Sequence, residues 1–280
     1  MASACELLVE GDDHALCARL GAAVREEVLR IERKYSRYRD DSVIASINAS
    51  ARDRRPLEVD AETADLLDFA AKCHALSAGA FDVTSGVLRR AWRFDGSDRL
   101  PEADAVAALL PLVGWHKLRW QRPQLTLAPG MELDLGGIGK EYAADRAVGL
   151  VRDLAPDSSA LVNLGGDLVV SRARRDGTPW RVGIERPDAA PGTAAAALEL
   201  RSGALCTSGD AKRFLLKDGV RYGHILDPRN GWPVRDAPRS VTVAAPTCTE
   251  AGLLATLSML AGAGAESLLA AQGVPHWVIR

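Results

Sequence analysis

Twice in this chain an apolar run ends against a pair of glycines beside an acid, and that junction constrains the fold more than any other feature. The first is Leu133-Asp134-Leu135-Gly136-Gly137-Ile138-Gly139-Lys140; the second is Leu161-Val162-Asn163-Leu164-Gly165-Gly166-Asp167. Glycines let a backbone turn sharply and approach a ligand closely. In the first segment a lysine opens a helical pattern over Lys140 to Leu154, and a helix start carrying a lysine attracts phosphate. The spacing is neither that of a P-loop nor that of GxGxxG. Two readings stand: a phosphate cradle in which Asp134 bonds the ligand or lies beside a metal, or a tight strand-to-helix turn. A turn held by Asn163 and Asp167 explains the second segment at least as well as a site does.

Around these junctions the periodicities alternate. Steps of three and four at Leu16, Leu20, Val24, Val28 and Ile31 predict a helix over Asp13 to Lys34, capped by Asp12 or Asp13. Further helices are expected over Ala61 to Leu76, as a short apolar one with Trp92 after Phe81-Asp-Val-Thr-Ser-Gly86 and within Ala80 to Phe94, over Ala103 to Leu110, and over Glu250 to Ala271. Strands are expected at Leu7 to Glu10, Gln124 to Leu127, Glu132 to Leu135, Ala160 to Asn163, Trp180 to Ile184, Ala197 to Leu200, Val241 to Ala245 and His276 to Ile279. Turns such as Arg175-Asp-Gly-Thr and Lys217-Asp-Gly-Val read as hairpin connections. The expected class is therefore α+β, with mostly antiparallel sheets and packed helices. No linker divides the chain, so residues 1–280 are expected to form one domain.

Composition narrows the function classes. Thirty-five basic residues stand against 37 acidic ones, which argues against a nucleic-acid or membrane-surface partner. No apolar run reaches the roughly 20 residues that span a bilayer, and Gly252 to Ala265 reads as a buried helix. The start, Met-Ala-Ser-Ala-Cys-Glu, carries no secretory signal. A cytoplasmic location is expected, or a periplasmic one if a leader was removed. The five cysteines have no CxxC pair and are expected to be small buried hydrophobes.

Two further constellations carry chemistry. Thr207-Ser208-Gly209 precedes His224-Ile225-Leu226-Asp227-Pro228-Arg229-Asn230-Gly231. His224 is a general base near neutral pH or a strand cap. The histidines at 14, 74, 116 and 276 have no acid or ligand partner at metal spacing and read as structural. In Ala80-Phe81-Asp82-Val83-Thr84, Phe81 could pack on a planar ring and Asp82 hold a polar edge. A helix cap by Asp82 or Thr84 is the stronger reading of those residues alone.

Taken in order, these segments resemble the ApbE family of FAD:protein FMN transferases. The family pattern runs Met-Gly-Thr, Phe/Tyr-Ser-x-Tyr-Arg-x-Asp-Ser, Gly-Ala-Phe-Asp-x-Thr, Leu-Asp-Leu-Gly-Gly-Ile-Ala-Lys-Gly, Asn-x-Gly-Gly-Asp, Thr-Ser-Gly, His-Ile-x-Asp-Pro-x-Thr-Gly and Asp-Ala-x-Ala-Thr. This chain offers Met1, Tyr35 to Ser42, Gly79 to Thr84, Leu133 to Lys140, Asn163 to Asp167, Thr207 to Gly209, His224 to Gly231, and Ala255-Thr256. The resemblance implies an ApbE-like (T-fold-like) architecture. It also implies Mg²⁺-dependent cleavage of the FAD pyrophosphate, with FMN transferred to a serine or threonine hydroxyl of an acceptor protein and AMP released. By the same resemblance, Met1, Tyr38, Ala80, Phe81, Asp82, Asp134, Lys140 and Ile225 would line the FAD site. Gly137, Ala255 and Thr256 would lie at the Mg²⁺, and His224 would be the base.

Two departures bear on that implication, the milder being Ala2-Ser3 where the pattern has Gly-Thr. The pattern's aspartate, four residues before the threonine, is Gly252 here. Glu250 lies two residues away, about 200° around a helix, and could serve only by curling back from a loop ahead of a helix that begins at Gly252. The expectation is an active flavin transferase. The alternative within the fold is a non-catalytic or weakly active FAD-binding protein. A third reading is an unrelated phosphate binder built on Gly136, Gly137 and Lys140.

Overall fold

A computed structural model describes residues 4–190, 193–211 and 213–280. β1 (Cys5–Val9) leads into α1 (His14–Tyr35), whose amide at Leu16 is capped by Asp13 Oδ1 at 2.8 Å. The three-and-four pattern lands as expected, with Leu20, Val24, Val28, Ile31 and Tyr35 buried along one face of α1. After α2 (Val43–Ser50), β2 (Leu57–Glu58) and α3 (Ala61–Leu76), a 3-10 helix covers Val83–Arg90. Then come α4 (Ala103–Ala107), β3 (Arg119–Gln121), β4 (Gln124–Thr126) and α5 (Gly139–Leu154). The second half is strand-rich: β5 (Ala160–Leu164), β6 (Asp167–Val170), β7 (Trp180–Glu185), β8 (Ala194–Leu200), β9 (Gly203–Gly209), β10 (Phe214–Lys217), β11 (Val220–Gly223) and β12 (Ser240–Ala245). α6 (Cys248–Ala261), α7 (Ala265–Gln272) and β13 (His276–Ile279) close the chain.

The central sheet has the order β1-β5-β6-β9-β12-β13, and every pairing in it is antiparallel. α1, α5 and α6 pack with it, and one core of buried side chains runs from Leu20 and Ile31 on α1 through Ala143, Val148 and Val151 on α5 to Ala251 and Met259 on α6. Smaller sheets pair β2-β4-β3, β7 with β8, and β10 with β11. The α+β, mostly antiparallel expectation is what the chain folds into.

Several expected elements differ. Glu132 to Leu135 alternates as a strand does, with Met131, Leu133 and Leu135 all buried, yet it joins no sheet. Asn48 takes the place of a neighbouring strand: its Oδ1 accepts from Leu133 N at 2.7 Å and its Nδ2 donates to Leu133 O at 3.1 Å. Asp134 N donates to Val83 O at 2.8 Å. Periodicity reports which faces are buried and is silent on what satisfies the backbone. The helix expected over Glu250 to Ala271 is two helices, broken at Gly262, where φ is 59°. Cys248–Gln272 is, by length and composition, long and apolar enough to cross a membrane, contrary to the expectation from the sequence, but that break interrupts it and α6 lies on β9 and β12. Arg175-Asp-Gly-Thr joins strands of different sheets, so it is not a hairpin, whereas Lys217-Asp-Gly-Val does join β10 to β11. Cys5 and Cys17 are exposed, so burial holds only for Cys73, Cys206 and Cys248.

Candidate functional site

Leu133, Leu135 and Ile138 are each at most 2% exposed. Burying a large aliphatic side chain contributes about 1.5–3 kcal/mol, so three of them anchor the first glycine junction to the core while its polar groups face outward. Asp134 Oδ1 accepts from Gly136 N at 2.9 Å, and its other oxygen pairs with Arg37. Arg37 in turn donates to Tyr38 Oη at 2.8 Å and lies over the Tyr38 ring. Tyr38 is 74% exposed, and its ring is therefore free to meet a flat ligand. The turn then enters α5, where Lys140 stands in the first helical turn.

The second glycine junction is the β5–β6 hairpin. Gly165 and Gly166 form its two-residue loop with φ of 67° and 101°, the left-handed pair that a tight hairpin of this kind requires. Asn163 Oδ1 accepts from Gly166 N at 2.9 Å. The hairpin sets Asp167, 1% exposed, at the head of β6. Its Oδ2 lies 2.5 Å from Lys140 Nζ, and Oδ1 accepts from Thr207 N at 3.2 Å. Burial alone would lower the Lys140 ammonium, but Asp167 and Glu141 overturn that and hold it above the ordinary lysine value. The two glycine junctions and the Thr207-Ser208-Gly209 strand therefore converge on one point. α6 joins them, because Thr256 Oγ1 lies 3.0 Å from Ser208 Oγ.

Other expected site residues are placed differently. Phe81 is 6% exposed and its ring lies under Gly137, where an added Cβ would come within 3.1 Å of Cε2. It supports the turn from beneath and presents no free face to a ligand. Asp82 is spent as a cap and brace: Oδ1 accepts from Thr84 N at 2.8 Å and Thr84 Oγ1 at 2.6 Å, and Oδ2 accepts from Trp115 N at 2.8 Å. His74 Nδ1 sits 3.3 Å from that Oδ2, a proximity the fold creates between residues that are not neighbours in sequence. Ala80 is half-buried just ahead of that cap, and Ile225 is half-buried against the main core. Ala255 is fully buried inside α6, where the helical ladder engages its carbonyl, and it offers a metal no donor. Met1 lies outside the described residues.

His224 Nδ1 lies 3.2 Å from Arg213 O, and its ring meets Phe94 edge-on at 6.3 Å between centroids. These contacts tie it to the aromatic group of Trp92, Phe94 and Trp232. Burial, aided by the Arg213 charge, lowers its pKa and so favours the neutral imidazole.

One functional candidate went unread in the sequence. Glu141, 7% exposed, lies between Lys140 and the α6 face, and its Oε2 has no hydrogen-bond partner among the described residues. Burial, with Asp167 adding to it and Lys140 opposing, pushes its pKa up to about 7. Among the described residues no three acids, histidines or cysteines gather as a metal cluster. The oxygen donors at hand are instead mixed: a carboxylate, the Thr256 hydroxyl and backbone carbonyls of the turn. Such a set fits Mg²⁺, which binds through one or two carboxylates and completes its shell with water and substrate phosphate. A surface hollow of about 650 Å³ lined by Arg174, Trp180 and Glu199 holds none of these groups.

Known proteins resemble this chain along nearly its whole length. The model of the ApbE family matches residues 1–277. A FAD:protein FMN transferase of Klebsiella pneumoniae is 32% identical over 281 residues, covering 97% of this chain and 79% of that protein. One from Treponema pallidum is 35% identical over 262 residues, covering 86% of this chain and 72% of that protein. The crystal structure of the ApbE protein from Thermotoga maritima superposes with a TM-score of 0.87 at 29% identity, over 98% of this chain and 94% of its own.

Proposed function

The chain belongs to the ApbE family, and from that premise we propose that it is a FAD:protein FMN transferase whose acceptor is a serine or threonine hydroxyl of another protein. The hydroxyl oxygen forms a bond to the phosphorus on the FMN side of the FAD pyrophosphate. The bridging P–O bond breaks and AMP leaves with the electron pair. The observation that carries this reading is the meeting of Lys140, Asp167, Ser208 and Thr256 close in sequence and space to the glycine turn, a cation and hydroxyls of the kind a pyrophosphate site uses.

In this reading Lys140 neutralises phosphate charge at the start of α5, where the helix dipole also favours an anion. Asp167 keeps that ammonium protonated and aimed. Tyr38 gives the isoalloxazine ring a flat surface, held by Arg37. His224, whose lowered pKa favours the neutral form, takes the hydroxyl proton. A bound Mg²⁺ would offset charge on the transferring phosphoryl group. Thr256 and the turn at Gly137 are the groups that would hold it.

Incubation with FAD and measurement of AMP test the proposal. AMP should appear with Mg²⁺ and stop when a chelator is added. FAD bound and recovered intact at saturating Mg²⁺ would favour instead the non-catalytic flavin-binding reading, for which the glycine at position 252 is the specific ground.

A further inference from the structure

α5 and α6 are held in register by an unusual clasp. Asp145 on α5 accepts from Cys248 N and Thr249 N at 2.8 Å each and from Thr249 Oγ1 at 2.6 Å, capping the start of α6. Glu141 is one turn earlier on α5, and it meets Gly252, one turn later on α6. The two helices therefore run in opposite directions. Thr256 is a further turn along α6 from Gly252, on the side toward which α5 begins at Gly139.

A Cβ built on Gly252 would stand 2.4 Å from Glu141 Cγ and 3.1 Å from both Cδ and Oε1. The Glu141 carboxyl thus fills the space that a side chain at 252 would occupy. Cβ bonds on a helix tilt toward its N-terminus, so Glu141 is directed back toward the glycine turn that opens α5. Its Oε2 is buried and takes no hydrogen bond among the described residues. A buried carboxylate oxygen without a donor is unfavourable unless a cation or a proton meets it.

Glu250 is not the substitute. α6 begins at Cys248 with Thr247 as its cap, so Glu250 lies inside the first turn, exposed and on another face. The loop from which it would have had to curl back does not exist.

We propose that Glu141 supplies the carboxylate of the divalent-cation site, replacing from α5 the side chain that Gly252 lacks on α6. The inference rests on the flavin-transferase reading for the identity of the site. The sequence carries a matching pair of departures. The family pattern closes its first glycine motif with Lys-Gly where this chain has Lys140-Glu141, and carries aspartate where this chain has Gly252. Charge and volume have crossed from one helix to its neighbour while the space between them stays filled. Glu141, Thr256 and the turn at Gly137 then form a set of hard oxygen donors beside Lys140.

Mn²⁺ serves as the probe, with free ion counted by electron paramagnetic resonance in the full chain. FAD binding is followed separately, in chelator, by flavin fluorescence. Glu141→Gln should weaken Mn²⁺ binding by roughly tenfold or more, as expected for removal of an anionic ligand. FAD affinity in chelator should stay within about twofold. The exchange Glu141→Gly with Gly252→Asp should restore Mn²⁺ binding to near that of the parent chain. Gly252→Asp alone should not strengthen it, because the new side chain enters space that Glu141 holds. Mn²⁺ binding unchanged in Glu141→Gln, or a folded exchange variant that still binds Mn²⁺ weakly, overturns the proposal. Failure of the parent chain to bind FAD would instead overturn the flavin reading, with the Mn²⁺ result standing on its own.

Discussion

Gly252→Ala isolates the helix contact from any question of charge. In an exposed helix interior, glycine to alanine ordinarily stabilises by about 1 kcal/mol. Here the new methyl would sit 2.4 Å from Glu141 Cγ. That atom lies near the backbone of a buried side chain, so relief requires moving the whole carboxyl group. Overpacking of this kind costs about 1–3 kcal/mol. The net effect in the parent chain should therefore lie between neutrality and a loss of about 2 kcal/mol. In a Glu141→Ala background the obstruction is gone, and the same substitution should stabilise by about 1 kcal/mol. The coupling between the two positions is then about 1–3 kcal/mol, read from urea unfolding of the four proteins in a double-mutant cycle. Equal stabilisation by Gly252→Ala in both backgrounds would refute the close approach of α5 and α6.

Other perturbations probe the rest of the account. Asp145→Ala removes the acceptor for two amides and a hydroxyl at the start of α6, and should cost about 1–2 kcal/mol in urea unfolding. Lys140→Met leaves Asp167, 1% exposed, without its cation; stability should fall by about 1–3 kcal/mol, and FAD should bind more weakly in a fluorescence titration. His224→Gln should slow AMP release by about 10²–10⁴-fold at unchanged FAD affinity. Burial and Arg213 lower the His224 pKa, so the acid limb of kcat/KM should fall below the ordinary histidine value of about 6.5. The sign for folding agrees: as pH drops through that value the unfolded chain takes up the proton first, so stability is lost on acidification. An inflection above about 6.5 would remove His224 from the role of base.

Much of this fold is written in local pattern. α1 and α3 follow directly from apolar steps and capping acids, and the β5–β6 hairpin follows from Gly165-Gly166. β6 and β9 are not evident in the sequence, because β6 is only four residues long and both abut glycines that read as turns. Glu132 to Leu135 misled for the opposite reason: its alternation is real, but Asn48 supplies its backbone partner. At the site, sequence order collected the right segments without their assignments. Whether the side chains of Asp82 and Phe81 face out is set by Trp115 and Gly137 from other parts of the chain. Glu141 escaped notice because its meaning depends on Gly252, more than a hundred positions away. A carboxylate missing from one helix and gained on another is legible only as a pair, once the Asp145 clasp has fixed which residues face each other.

The most direct measurement joins both halves of the transfer. A candidate acceptor protein is incubated with this chain, FAD and Mg²⁺, and the flavin that survives denaturing electrophoresis is quantified against the AMP formed. The account predicts fluorescence on the acceptor, one AMP for each flavin attached, and loss of both when Mg²⁺ is chelated. AMP without attached flavin would contradict the transfer to protein, and intact FAD with no AMP would contradict the chemistry assigned to the Lys140–Thr256 site.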